Sequence, residues 1–185
     1  MNLPNKITIL RVILIPFFLV FYMIPGIPAG KWIAFVIFIV ASLSDMVDGK
    51  IARKYNLVTD FGKFMDPLAD KILVCSAMIA MIPKGRIMAW VVIIIIAREF
   101  TISGFRLVAA DNGKVIAAGM WGKVKTAVTM VMLVVVIADL GADIPSIATA
   151  VHVFELILIY TSAILTIVSL IDYLIHNKDV IATYK

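Results

Sequence analysis

Cysteine is almost missing from this chain: a single one, Cys75, stands among 185 residues and lies inside an apolar run. That excludes an intramolecular disulfide and a cysteine-built zinc site, and leaves Cys75 expected to be a small buried hydrophobe. Charge is also scarce, at 16% of residues against 63% hydrophobic, with a mean hydropathy of +1.07. An ordinary soluble domain is nearer half apolar, so the composition predicts an all-α integral membrane protein. There is no low-complexity tract, no internal repeat and no connection long enough for a second domain, so residues 1–185 are expected to form one membrane domain. The first apolar run carries Arg11 and is followed by no small-residue cleavage site, so it is expected to remain as a span. The formal charge is +5, but no separate basic region exists to hold a duplex. Nucleic acid is therefore not an expected partner, whereas anionic lipid or phosphate is.

What the chain does have is long apolar stretches bounded by Pro, Gly and charge. They predict six spans, at 7–25, 31–53, 62–82, 87–108, 119–140 and 146–173. If these alternate in direction, all of the 17 Lys and Arg except Lys31, Lys84 and Arg86 fall on the side that holds both termini. The positive-inside rule then places both termini in the cytoplasm of a multi-pass plasma-membrane protein. Depth follows from counting at about 1.5 Å per residue: Asp45 lies 14 residues from Lys31, Asp70 13 from Pro83, Arg98 12 from Arg86 and Arg11 14 from Pro25. Each count gives roughly 18–21 Å within a hydrocarbon core of about 30 Å. The four groups are expected in one layer of the cytoplasmic third, within reach of a lipid's phosphates.

Aspartate within such spans is costly, at about 2.5–3.5 kcal/mol near the bilayer centre. Four of them fall close together. Asp45 and Asp48 are spaced i,i+3, and Asp66 and Asp70 i,i+4, so each pair shares a helix face. Hard oxygen donors without accompanying histidine or thiolate favour Mg²⁺ or Mn²⁺, and four carboxylates can bridge two ions about 3.5–4 Å apart, the arrangement that clamps a phosphoryl displacement. Ion pairs with Lys50, Arg53, Lys54 and Lys63 at the membrane rim are the plainer alternative. Gly49 and Ala52 keep this face free of bulk, either for a ligand or for helix packing. Pro67 falls where the third helix is expected to start, a position that tolerates the missing N–H.

From Asp45 to Asp70 the chain reads D-x2-D-G-x2-A-R-x8-G-x3-D-x3-D, and over these 26 residues it resembles the CDP-alcohol phosphatidyltransferase family at every fixed position. The resemblance implies a six-helix membrane enzyme that displaces CMP from a CDP-linked lipid by an alcohol. It further implies that Asp45, Asp48 and Asp66 bind metal, that Asp70 joins the second metal and acts as general base, and that Gly49 and Arg53 hold the nucleotide. A homodimer is expected on the same ground.

The opening Leu3 to Arg11 resembles that of bacterial members. Asn5, Thr8 and Arg11 recur every three residues and can offer donors to a cytidine or its phosphates, although a helix cap plus a positive-inside arginine explains them too. The segments 97–106 and 119–126 resemble the branch of the family whose acceptor is sn-glycerol 3-phosphate, with CDP-diacylglycerol as donor. By that resemblance Arg98, Lys123 and Lys125 cradle the acceptor phosphate, with Arg106 on roughly the same face but nearer the cytoplasm, and Glu99 either orients or neutralises Arg98. A belt of snorkelling cations is the alternative. Sibling acceptors (inositol phosphate, serine, phosphatidylglycerol) and a divalent-cation transporter stay open. His152 and Glu155 share a face of the last helix and are expected to be structural, and Asp139, Asp143, Asp172 and Asp179 to be ordinary helix-end acids.

Overall fold

The computed structural model describes residues 2–54, 59–111, 113, 116, 117 and 119–178, with the backbone alone at 3, 4, 45–54, 60, 61 and 63. Among the described residues the fold is all-helical, without strands. Six long helices are present: α1 (Leu3–Met23), α2 (Gly30–Lys54), α3 (Asp60–Met81), α4 (Ala89–Asp111), α5 (Met120–Ala138) and α7 (Ala148–His176). A four-residue α6 (Leu140–Asp143) and a 3₁₀ turn (Pro145–Ile147) join the last two.

Local chemistry explains where the helices start and stop. Pro4 sits in the first turn of α1, where its missing N–H costs nothing, and the helix begins four residues before the expected 7. Thr59 caps α3 by accepting from the Gly62 N–H at 3.0 Å, which starts that helix at Asp60. Pro67 therefore lies two turns inside α3 and not at its start as the sequence suggested. There it deprives the carbonyl of residue 63 of its i+4 donor. Gly26 (φ +86°) and Gly85 (φ +66°) turn the chain after α1 and α3, and Asp139 (φ +44°) ends α5 in the left-handed region that few non-glycine residues occupy.

The chain divides into two compact units, Met1–Arg86 with Leu133–Asp139, and Ile87–Met132 with Leu140–Lys185. In the first, α1 packs along α2 and α3, and α2 packs on α3. Its buried residues recur at helical spacing: Ile15, Phe18 and Tyr22 on α1, Ala34, Phe38 and Ala41 on α2, and Ala69, Leu73 and Ala77 on α3. The alanines let backbones approach, and Phe18 fills the remaining space against Tyr22 and Phe38, with ring centroids 5.4 and 5.8 Å apart. In the second unit α4 packs on α7. Trp90 meets Tyr160, and Phe105 meets Tyr173 edge-on at 5.9 Å.

The outward faces are apolar as well. Ile157, Ile164 and Ile171, seven residues apart along α7, are 56%, 61% and 52% exposed, which suits hydrocarbon and not water. Among the described residues three segments are long and apolar enough to cross a membrane, Asn5–Met23, Met120–Asp143 and Pro145–His176, and Gly30–Ser44 is a shorter apolar helix. In α3 and α4 the charges Asp66, Asp70 and Lys71, and Arg98, Glu99 and Arg106, interrupt the apolar run. Cys75 is half-buried on α3.

Candidate active site

In the first unit, a ladder of polar side chains ties the start of α1 to α2 and α3. Thr8, fully buried, donates from Oγ1 to Asp66 Oδ1 at 2.6 Å. So short an O–H···O⁻ contact is charge-assisted and fixes the rotamer of that carboxylate. One turn earlier Asn5 Oδ1 accepts from Thr59 Oγ1 at 2.9 Å, and one turn later Arg11 Nε donates to Ser44 Oγ at 3.2 Å. All three α1 residues are at least nine-tenths buried. The triplet spacing thus faces the helices that carry the aspartates. The alternative of a helix cap does not apply to Asn5, because the N-cap residue is Asn2, whose side chain makes no cap bond.

Gly62 stands inside this ladder. A Cβ there would lie 3.2 Å from Asn5 Oδ1, 3.3 Å from Thr59 Oγ1 and 3.7 Å from Asp66 Oδ2. That gives the motif glycine a physical reason, since a Cβ would press on the Asn5–Thr59 hydrogen bond and displace it by a few tenths of an ångström. Asp70 follows Asp66 by one turn on the same face of α3 and is half-buried. Helix α2 continues through 45–54, so Asp45 and Asp48 share a helical face, but their side chains and those of Gly49 and Arg53 lie outside the described residues. Among the described residues no three Asp, Glu, His or Cys gather as a metal site. The donors that are described on α3 are carboxylate oxygens, and both histidines of the chain lie on α7. This donor chemistry fits Mg²⁺ or Mn²⁺.

The second unit gathers charge around Glu99. Its Oε1 accepts from Arg98 Nη1 at 3.0 Å and from Lys125 Nζ at 2.6 Å, joining α4 to α5 across 26 residues. Arg98 and Lys125 are only 8% and 2% exposed. Glu99 holds Arg98 by Nη1, which leaves the Nε/Nη2 edge, the edge that takes a phosphate with two parallel bonds. Nε is buried with no hydrogen-bond partner among the described residues, and Nη2 passes over Gly122, where a Cβ would stand 3.3 Å away. Lys123 is exposed and, two residues from Lys125, lies on another face of α5. Arg106 is exposed and stacks on Tyr173, its guanidinium 5.9 Å from the ring centroid.

Sequence reasoning passed over several groups that the structure uses: Ser44, Thr59 and Gly122, and a stripe on α7. There Ser162 shares a hydrogen with Thr129 of α5 at 2.7 Å, while Thr166 and Ser169 bond back to the carbonyls of residues 162 and 166. The three- and four-residue spacing of these hydroxyls was the available signal. His152 and Glu155 prove unlike neighbours. The imidazole is 66% exposed and the carboxylate 4%, with 4.0 Å between Nδ1 and Oε2.

Comparison with known proteins bears on most of the chain. A family model described as CDP-alcohol phosphatidyltransferase matches residues 1–172. The chain is 49% identical over 136 residues to the CDP-diacylglycerol–glycerol-3-phosphate 3-phosphatidyltransferase of Bacillus subtilis (strain 168), covering 68% of this chain and 70% of that protein. It is 38% identical over 178 residues to the protein of the same name from Haemophilus influenzae, covering 94% and 91%. It is also 34% identical over 174 residues to a probable phosphatidylglycerophosphate synthase of Mycobacterium tuberculosis (strain ATCC 25618 / H37Rv), covering 93% and 79%. The ladder from Asn5 to Asp66 and the charge cluster of Glu99 both lie inside the matched region, as does the whole aspartate signature, and the chain belongs to the CDP-alcohol phosphatidyltransferase family.

Proposed function

We propose that this chain transfers the phosphatidyl group of CDP-diacylglycerol to sn-glycerol 3-phosphate, giving phosphatidylglycerophosphate and CMP. The observation that carries the acceptor assignment is the buried pair Arg98 and Lys125, with the Nε/Nη2 edge of Arg98 beside a glycine. Such a pair suits a phosphomonoester, and the names of the relatives above supply the same acceptor. Serine brings no phosphate for these cations to meet.

Asp45, Asp48, Asp66 and Asp70 would hold two Mg²⁺ or Mn²⁺ ions, which when bound would offset the charge of the pyrophosphate and of the departing CMP. A carboxylate oxygen of Asp70 takes the proton of the acceptor hydroxyl, whose oxygen attacks the phosphorus bearing diacylglycerol as the bond to CMP breaks. Asn5, Thr8 and Arg11, with Gly49 and Arg53, line the nucleotide side. Thr8 contributes by fixing Asp66. Arg98 and Lys125 fix the acceptor phosphate, with Lys123 and Arg106 drawing the anion in from the surface, and positioning of this kind supplies much of the rate. The ladder's serine, Ser44, accepts from Arg11 and donates to the Ala41 carbonyl at 2.7 Å, with no histidine beside it among the described residues to activate it, in keeping with direct displacement. In this reading six helices of one membrane domain cross the plasma membrane, both termini and the site face the cytoplasm, and the enzyme works as a homodimer.

The test is an acceptor panel. Purified protein with CDP-diacylglycerol and Mg²⁺ or Mn²⁺ is expected to release CMP with sn-glycerol 3-phosphate and not with serine or phosphatidylglycerol. Release with inositol phosphate alone would move the chain to a sibling branch, since that acceptor also carries a phosphomonoester.

Thr8→Val offers a second measurement. A hydrogen bond to a charged group is worth about 1.5–3 kcal/mol, so losing the bond to Asp66 is expected to lower CMP release by roughly 10- to 100-fold without loss of folded protein. Unchanged turnover would mean that Asp66 needs no such orientation.

A further inference from the structure

Three cations stand apart from the rest in the sequence, Lys31, Lys84 and Arg86, and the structure brings all three to one cavity of the first unit. The cavity, about 220 Å³, lies where α1 ends, α2 begins and the chain leaves α3, so it sits at the opposite end of these helices from Thr8 and Asp66. Among the described residues its lining carries a single carboxylate, that of Asp139. Asp139 is more than a helix-end acid. Its Oδ1 pairs with Arg86 Nη2 at 3.0 Å, and its carbonyl accepts from Lys31 Nζ at 3.2 Å. The ammonium of Lys84 lies 4.7 Å from the centre of the Tyr22 ring.

The backbone around this cavity is held in costly conformations. Ala29 and Asp139 both adopt positive φ, +54° and +44°, which non-glycine residues avoid unless their surroundings fix them. Gly30 lies so close to α1 that a Cβ would stand 2.9 Å from the Phe21 carbonyl oxygen. The turns are thus built tightly to bring the cations together, and the lining keeps a cationic excess.

We propose that this cavity binds the phosphodiester headgroup of an anionic membrane lipid, at the membrane face opposite the aspartates. Cavities for drug-sized ligands run from about 300 to 1,000 Å³, so this smaller one suits a headgroup whose acyl chains remain outside. Phe21, Ile27 and Ile137 supply apolar wall, while Ile24 and Trp32 beside it are 52% and 41% exposed. That is the amphipathic rim at which a lipid, rather than a soluble anion, presents its phosphate.

The experiment uses the full chain in phosphatidylcholine nanodiscs with and without phosphatidylglycerol, followed by thermal unfolding. Phosphatidylglycerol is expected to raise the midpoint by about 5 °C, and Lys31→Gln with Lys84→Gln to lose most of that rise. Lys84→Arg should keep it, which separates loss of charge from loss of fold. The double variant should also retain its midpoint in phosphatidylcholine alone and its rate of CMP release. A rise that survives in the double variant, or that disappears in Arg98→Ala instead, overturns the proposal. So does an equal, lysine-dependent rise with inorganic phosphate in phosphatidylcholine alone, which assigns the cavity to a soluble anion.

Discussion

Asp70→Asn is expected to cut CMP release by at least 10²- to 10⁴-fold, the usual contribution of a positioned general base, while leaving CDP-lipid binding within a few-fold of the parent. Asparagine keeps the size of the side chain and an oxygen able to contact a cation, but it cannot take a proton from the acceptor hydroxyl. Asp70 lies one turn beyond Asp66 on the same face of α3, and Thr8 engages Asp66 at 2.6 Å. Single-turnover release with saturating acceptor is the decisive measurement. A near-parental rate there would remove Asp70 from the role of base, whatever its part in holding metal.

Lys125→Ala is expected to lower kcat/KM for sn-glycerol 3-phosphate by about 10²-fold, with the KM for CDP-diacylglycerol within twofold of the parent. Truncating one partner of a buried charge pair costs about 2–5 kcal/mol, and here the loss falls on the acceptor side alone. Lys125 is 2% exposed and shares Glu99 Oε1 with Arg98, so without it the carboxylate pulls on the guanidinium unopposed. Glu99→Gln is the informative companion. Its amide oxygen can still accept from both cations, so geometry is kept while one negative charge is lost. The acceptor KM is expected to fall. Should Lys125→Ala leave acceptor kinetics untouched, the acceptor phosphate binds elsewhere.

The helices were legible because apolar runs and breakers are local. Each of the six long helices lies within a few residues of its expected span, and the largest departures, four residues early at α1 and misplaced Pro67, trace to Pro4 and to the Thr59 cap. The face shared by Asn5, Thr8 and Arg11 was also readable, since spacing fixes direction within one helix. Their partners were not. Thr8 meets Asp66 across 58 residues and Asn5 meets Thr59 across 54, contacts that depend on how α1 lies on α3. Glu99 shows the same limit. Its pairing with Arg98 beside it was foreseeable, but its hold on Lys125 depends on how α4 meets α5. Hydroxyls such as Ser162 and Thr129 pass for filler in an apolar run until the facing helix is known.

The adjacency of Arg98 and Glu99 has a consequence for how the chain is made. In the proposed six-span reading a ribosome delivers α4 to the membrane before α5, and an arginine presented there alone would meet hydrocarbon with no counter-ion. Because the carboxylate follows it directly and bonds to it at 3.0 Å, α4 can enter as a neutral pair during synthesis. Lys125 emerges 26 residues after Glu99 and finds its acceptor already in place. For this cluster the order of residues along the chain thus lets the membrane receive Arg98 and Lys125 with Glu99 at hand.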